Sequence, residues 1–278
     1  MVTQEQRKRQ LAREKFLRQQ QRRTAARRKA RARNSVIASV LGVIVIGSVV
    51  LYTTGVMKDD KKSNASADVT PSASATSKAP DPCAKAAAGK VKTETWKKEP
   101  ALTIDKSAKY TMKLATTCGD IDIALKASAA PHTVNSFDFL AGKGYFDHTK
   151  CHRLTTSGIY VLQCGDPTGT GSGGPGYTIP DENLKDATLK GSTYPAGTVA
   201  MANTYDASTG KGRNTGGSQF FLVYKDSPLP ANYTPFGTIS ASGMKVLQKI
   251  AAAGESTGAG DGAPNATVVI NKATVTKS

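Results

Sequence analysis

The sequence is short of the residues that most enzymes use for metal or covalent chemistry. It holds three histidines, four cysteines and one tryptophan in 278 residues. His132, His148 and His152 lack the spacing of metal ligands on one helix, and no two cysteines form a Cys-x-x-Cys pair. No Gly-x-Ser-x-Gly elbow occurs, because in Gly216-Gly-Ser218-Gln-Phe220 a phenylalanine stands where the last glycine would be. The glycine-rich run from Gly169 to Gly176 lacks the Gly-Lys-Ser/Thr ending of a phosphate loop and reads as a turn-rich loop. Asp181-Glu182 is adjacent acidic charge, read as exposed loop. No metal and no cofactor is expected.

Acidic charge is also scarce, at 21 Asp and Glu against 38 Lys and Arg. The imbalance is local. Residues 1–33 carry thirteen Lys or Arg against Glu5 and Glu14, and so hold eleven of the seventeen net positive charges. From Val36 to Met57 charge is absent for twenty-two positions rich in Val, Ile, Leu, Gly, Ala and Ser. About twenty helical residues span the ~30 Å of a bilayer's hydrocarbon. A cleaved signal would have a shorter apolar core with a small-residue site close behind it. Here Lys58-Asp-Asp-Lys-Lys62 follows directly. The sequence thus predicts a basic cytoplasmic segment over 1–35 and a retained single transmembrane helix over 36–57. The basic cluster sets the N-terminus in the cytoplasm and the rest outside. Anionic lipid head groups are the expected partner of the basic segment, and nucleic acid is not.

Residues 58–95 contain no Leu, Ile or Phe and are dominated by Ser, Ala, Thr, Lys, Asp and Pro. Such a stretch buries too little apolar area to offset its ordering entropy, so a disordered, flexible extracytoplasmic linker is expected. Cys83, Cys118, Cys151 and Cys164 permit two disulfides in three possible pairings on the outer side of a membrane. Cys151 with Cys164 is a pairing that would close a strand pair.

The folded domain is expected over 96–278. Tyr110 to Thr116 and Asp120 to Leu125 alternate apolar with polar residues around Thr117-Cys-Gly119, the pattern of a hairpin. Pro131 to Leu140 reads as a helix, with proline in its first turn and Val134, Phe137 and Leu140 on one face. Met244 to Ala253 reads as a second helix stopped by Gly254, and Thr267 to Ile270 as a last strand. Many short strands and two helices make the chain mainly β, an antiparallel barrel or sandwich with helices capping it. Arg213-Asn-Thr-Gly-Gly-Ser-Gln-Phe-Phe221 reads as a loop feeding a buried strand, in which Gln219 needs a hydrogen-bond partner.

Met201-Ala-Asn203 followed by Asn214-Thr-Gly-Gly-Ser-Gln-Phe-Phe221 resembles the central signature of the cyclophilin family of peptidyl-prolyl cis-trans isomerases. Other pieces follow in the same order: Ala130 to Val134, Gly144-Tyr-Phe-Asp147, Cys151-His-Arg153, Gln163-Cys-Gly-Asp166 and Gly169 to Gly174. The resemblance covers about residues 107–273. It implies a closed eight-stranded antiparallel β-barrel capped by two helices, and proline-containing polypeptides as clients. It also implies catalytic roles for Arg153, Gln163, Asn203 and Gln219, and substrate contacts at Tyr160, Val161, Gly171, Ala202, Phe221, Leu229 and Tyr233. Arg153 matches the family's catalytic arginine, and Asn203 the asparagine that holds the substrate backbone.

The sequence departs from the family pattern in four places. The segment from Arg153 to Gln163 is about two residues longer than the common form. Val161 stands for the usual pocket methionine, Pro228 for the common tryptophan and Tyr233 for a histidine. Loss of the indole donor implies weak cyclosporin binding. The function expected is an extracytoplasmic, membrane-anchored isomerase that assists folding of exported proteins. The alternative is a tethered module that binds proline peptides, or holds chains, without catalysis.

Overall fold

The computed structural model describes residues 80–189, 191–206 and 208–278. The expected basic segment, transmembrane helix and first part of the linker lie outside the described residues. Among the described residues no helix is long and apolar enough to cross a membrane.

The domain opens with the expected hairpin. Strands β1 (Tyr110–Thr116) and β2 (Gly119–Leu125) pair in register from Tyr110↔Leu125 to Thr116↔Gly119. Gly119 sits at φ 129° in the turn, where a side chain would strain the backbone. Helix α1 (Pro131–Gly142) starts with proline and has no side-chain cap of its own. Its free N–H groups are met by Glu182, whose carboxylate accepts from the N–H of His132 at 3.1 Å and of Thr133 at 2.9 Å. Glu182 is thus a helix cap rather than loose loop charge, and Asp181 beside it is largely buried.

Short strands follow: β3 (Thr149–Lys150), β4 (Arg153–Thr155), β5 (Val161–Cys164), β6 (Thr193–Tyr194), β7 (Thr198–Met201), β8 (Phe220–Val223), β9 (Ser227–Pro228) and β10 (Pro235–Ile239). Helix α2 (Ala241–Ala252) begins three residues earlier than the apolar pattern indicated, because Ser240 caps it by accepting from the Gly243 N–H. Strands β11 (Asp261–Gly262) and β12 (Val269–Lys277) complete the domain.

The main sheet has ten strands in the order β11-β4-β5-β8-β7-β10-β2-β1-β12-β3, and β6 pairs with β9 apart from it. This corrects the expected closed eight-stranded barrel to a curled ten-stranded sheet whose end strands share no ladder. The physical reason lies at Cys151-His152. The strand is interrupted there, between β3 at one end of the ladder and β4 near the other. On either side of the interruption stands a single hydrogen bond, Cys151 N–H to the Val268 carbonyl at 3.0 Å and His152 N–H to the Gln163 carbonyl at 3.1 Å, and the Cys151–Cys164 disulfide ties the step to β5.

Phe137, Phe146, Phe220 and Phe236 meet at the centre of the core, with Phe137 and Phe236 centroids 4.5 Å apart. Each buried ring of this kind contributes roughly 1.5–3 kcal/mol over an exposed one. The strands that carry the site have two buried faces. On β8, Phe220 and Leu222 enter this core, while Phe221 and Val223 join a second cluster with Val161, Tyr194 and Ala200.

Residues 80–95 correct the expected linker. They carry no helix or strand, yet they run along the domain as a strap. Cys83 is bonded to Cys118, and the Ala84 N–H donates to the Thr117 carbonyl at 2.8 Å. Gly89 lies over His148, where a Cβ would come within 1.9 Å of the ring. The strap ends at Trp96, whose ring packs on Phe139 at 5.1 Å and Tyr145 at 5.9 Å. As the only tryptophan, it reports on the strap directly. Cys83→Ala with Cys118→Ala should cost about 2–4 kcal/mol, read as an earlier urea midpoint in Trp96 fluorescence. An unchanged midpoint would show that the bridge does not tie the strap.

Candidate active site

Alternation along β5, β7 and β8 turns every second side chain away from the aromatic core. Val161, Gln163 and Phe221 so turned line a pocket of about 190 Å³ together with Arg153 of β4 and with Ile159, Ala202, Asn203, Leu229 and Tyr233 from the connecting segments. Its base is apolar. Phe221 and Tyr233 meet edge to face at 5.5 Å. Tyr194 fixes Tyr233 from behind, its hydroxyl donating to the Tyr233 carbonyl at 2.6 Å and accepting from the Tyr233 N–H at 3.1 Å. Burial pushes the Tyr194 hydroxyl up to about 12, so it stays neutral in this role.

One wall of the pocket is polar and directional. Arg153 and Gln163 face each other across the β4–β5 ladder. Arg153 Nη1 donates to Gln163 Oε1 at 3.2 Å, Gln163 Nε2 to Gln219 Oε1 at 2.9 Å, and Gln219 Nε2 to the Gly173 carbonyl at 2.9 Å. The partner that Gln219 needs is therefore Gln163 on one side and the loop backbone on the other. Asp261 grips the other edge of the guanidinium, accepting from Nε and Nη2 at 2.8 Å each. The Asp261 hydrogen bond raises Arg153 further above its already high range, and Arg153 in turn holds the Asp261 carboxyl below the usual one. The cation is permanent and its plane is fixed.

Asn203 uses its side chain inward. Its Nδ2 donates to the Asn232 carbonyl at 2.8 Å and to Asp181 Oδ1 at 3.3 Å, and its Oδ1 accepts from the Tyr205 N–H at 3.2 Å. Arg213 braces the same corner. It donates to Asn232, lies 3.7 Å from Asp181 and stacks on the Tyr205 ring at 4.1 Å. The amide of Asn203 thus ties Asp181, Tyr205 and Asn232 together at the edge of the pocket.

A groove of about 1070 Å³ adjoins the pocket. Gln163, Ala202 and Asn203 line both. One side of the groove is the loop from Gly171 to Thr178, held from within by Asp166. Burial pushes the Asp166 carboxyl up, but hydrogen bonds from Thr168, Gly173 and Gly171 outweigh it and leave it below its ordinary value. No Cβ fits at Gly173, where it would lie 2.1 Å from Asp166 Oδ1.

Most of the residues singled out in the sequence converge here, though not all in one place. Arg153, Gln163, Asn203, Val161, Ala202, Phe221, Leu229 and Tyr233 line the pocket, whereas Gln219 and Gly171 line the groove. Tyr160 is a correction. It faces away from the pocket, packed on Tyr224 at 5.9 Å with the Lys225 ammonium 4.5 Å over its ring. Period two explains this, since Val161 and Gln163 point into the site and the residue sharing their face is Ile159. Cys151 and Cys164 are joined in a disulfide beside the site, next in sequence to His152-Arg153 and Gln163. Asp261 and Ile159 are the residues that sequence reasoning missed. Alternation back from Gln163 offered a signal for Ile159. None marked Asp261, which lies 108 positions from its partner in a glycine-rich stretch.

The arrangement offers a small pocket with apolar side chains on one side, a fixed cation and a row of amide groups. It presents no activated nucleophile. The profile of the family described as cyclophilin type peptidyl-prolyl cis-trans isomerase/CLD matches residues 111–275. The chain is 48% identical over 175 residues to the probable peptidyl-prolyl cis-trans isomerase B of Mycobacterium leprae, covering 59% of this chain and 56% of that one. It is 47% identical over 171 residues to the Mycobacterium tuberculosis protein of the same name, covering 59% and 53%. The chain therefore spans about half the length of these two relatives. Against the peptidyl-prolyl cis-trans isomerase cypE of Dictyostelium discoideum, identity is 39% over 144 residues, covering 50% of this chain and 83% of that one. A crystal structure of a Cryptosporidium parvum cyclophilin type peptidyl-prolyl cis-trans isomerase superposes with a TM-score of 0.51 at 27% identity, over 61% of this chain and 99% of the other. This chain belongs to the cyclophilin type peptidyl-prolyl cis-trans isomerase family.

Proposed function

We propose that the protein is a peptidyl-prolyl cis-trans isomerase that rotates X-Pro bonds in exported polypeptides. The barrier to be lowered is about 20 kcal/mol, because the amide loses resonance as it twists. No bond breaks, so the site must only hold the twisted state better than either planar one. The observation that carries the reading is Arg153 at the rim of a pocket sized for a small ring, oriented on both edges by Gln163 and Asp261. The pocket takes the proline ring. The guanidinium donates a hydrogen bond to the prolyl nitrogen, whose lone pair is freed as conjugation is lost. The backbone at Asn203 and the amides of Gln163 and Gln219 hold the acyl side.

A second reading, a binder without catalysis, draws on one observation. Asp261 occupies two of the guanidinium's donors and leaves Nη1 toward Gln163. NMR exchange of an Ala-Pro peptide separates the two readings. The full chain should speed exchange, and Arg153→Ala should lower kcat/KM about a hundredfold. Peptide resonances that shift without faster exchange would favour the binder.

We also propose the bacterial membrane-anchored form, with the anchor at 36–57, the basic segment against anionic lipid and the domain on the outer side. The charge pattern supports it, as do two disulfides and no free cysteine among the described residues, since disulfides persist in oxidising compartments. The chain should stay with membranes through an alkaline wash, and protease added to intact spheroplasts should digest the domain. Release into the wash would count against the anchor. For cyclosporin, Pro228 has no N–H to donate and is exposed beside the pocket residue Leu229. Weak binding is expected, and nanomolar affinity in a fluorescence titration would contradict it.

A further inference from the structure

The strap does not stop at the domain surface. Lys97, Lys98 and Glu99, which follow it directly in sequence, form part of the wall of the groove beside the pocket. Their position is fixed rather than trailing. The Trp96 N–H donates to the Pro175 carbonyl at 2.8 Å, and the Trp96 ring is wedged against Phe139 and Tyr145. Gly176 on the groove loop passes so close that a Cβ would lie 2.8 Å from the Trp96 carbonyl oxygen. The disulfide at Cys83 holds the far end of the strap.

The charges at this wall do not cancel. Glu99 is engaged by His132, with Nδ1 3.3 Å from its carboxylate. Lys97 and Lys98 are exposed and have no ion-pair partner among the described residues. The rest of the groove lining is uncharged. Two ammonium groups against the one carboxylate of Glu99 leave the wall net positive, and they set the sign of the field along the groove.

We infer that Lys97 and Lys98 make the site select polypeptides with acidic residues on the N-terminal side of the target proline. The inference rests on the isomerase reading, in which the acyl side of the bond is gripped at Asn203. Ala202 and Asn203 are shared by pocket and groove, so chain leaving the pocket across them enters the groove. At ~3.3 Å per extended residue, the second and third residues before proline lie along it. A carboxylate there meets two unpaired ammonium groups, and a lysine there is repelled.

The test uses the full chain and three peptides that differ only at the second residue before proline, carrying Glu, Ala or Lys. At low salt, kcat/KM from exchange NMR should favour Glu over Lys by about fivefold, as exposed charge contacts allow. The ratio should shrink toward one at ~1 M salt, where the Debye length falls to about 3 Å. Lys97→Glu with Lys98→Glu should invert the order, with the Trp96 emission unchanged as the check that the strap is in place. Equal rates for the Glu and Lys peptides, or a preference that survives in the double variant, would overturn the inference. If no peptide, including the Ala one, exchanges faster, the isomerase reading falls. The same order is then read from resonance-shift affinities: Glu tighter than Lys supports the charge selection, and equal affinities overturn it.

Discussion

Strand alternation around β5, β7 and β8 is the constraint on which the rest depends. A strand shows its side chains to two sides in turn, and here both sides are buried. Phe220 and Leu222 fill the aromatic core, and between them Phe221 reaches the pocket. Moving β8 by one residue would send Phe220 into the pocket and Phe221 into the core. The site therefore inherits its accuracy from the packing of the core. The closed disulfide at Cys151–Cys164 adds a covalent tie at the break between β3 and β4, beside Arg153 and Gln163.

On that frame a short polar chain does the electrostatic work. From Asp261 through Arg153, Gln163 and Gln219 to the Gly173 carbonyl, each donor has one acceptor and each amide one orientation. Arg153 and both glutamines are each hydrogen-bonded on two sides, so none of the three turns without breaking a bond, even though the Arg153–Asp261 end is solvent-exposed. The far end of this polar chain fixes the loop wound on Asp166, and the strap at Trp96 fixes the outer side of that loop. Pocket, groove and strap are consequently one mechanical unit. A cation with little freedom to reorient suits a reaction whose only demand is preferential stabilisation of a twisted amide.

Much of this was legible in the sequence, where local pattern and global fold agree. The hairpin at Thr117-Cys-Gly119, the proline-started helix and the alternating Phe220-Phe221 pair each follow from periodicity and turn chemistry. The site residues Arg153, Gln163, Asn203 and Gln219 were marked by their family strings. What stayed hidden was long-range or depended on a count. Asp261 meets Arg153 through a two-residue strand whose pairing no local pattern announces. Glu182 caps a helix that begins fifty residues before it. Residues 80–95 have the composition of a linker, and it is their tethering at Cys83 and Trp96 that orders them. Tyr160 was placed by family offset in a segment of altered length, and strand alternation overrode the offset. Closure of the barrel was expected from the family, whereas the ladder ends at the Cys151-His152 step.

In the proposed isomerase, Arg153 acts on the twisted state more than on the bound peptide. The most direct measurement is peptide exchange at saturating concentration, with affinity measured in parallel, for the wild type and Arg153→Gln. Peptide affinity should change by no more than a few fold while the exchange rate collapses by about two orders of magnitude. A rate that persists, or a rate and an affinity that fall together, would contradict this role.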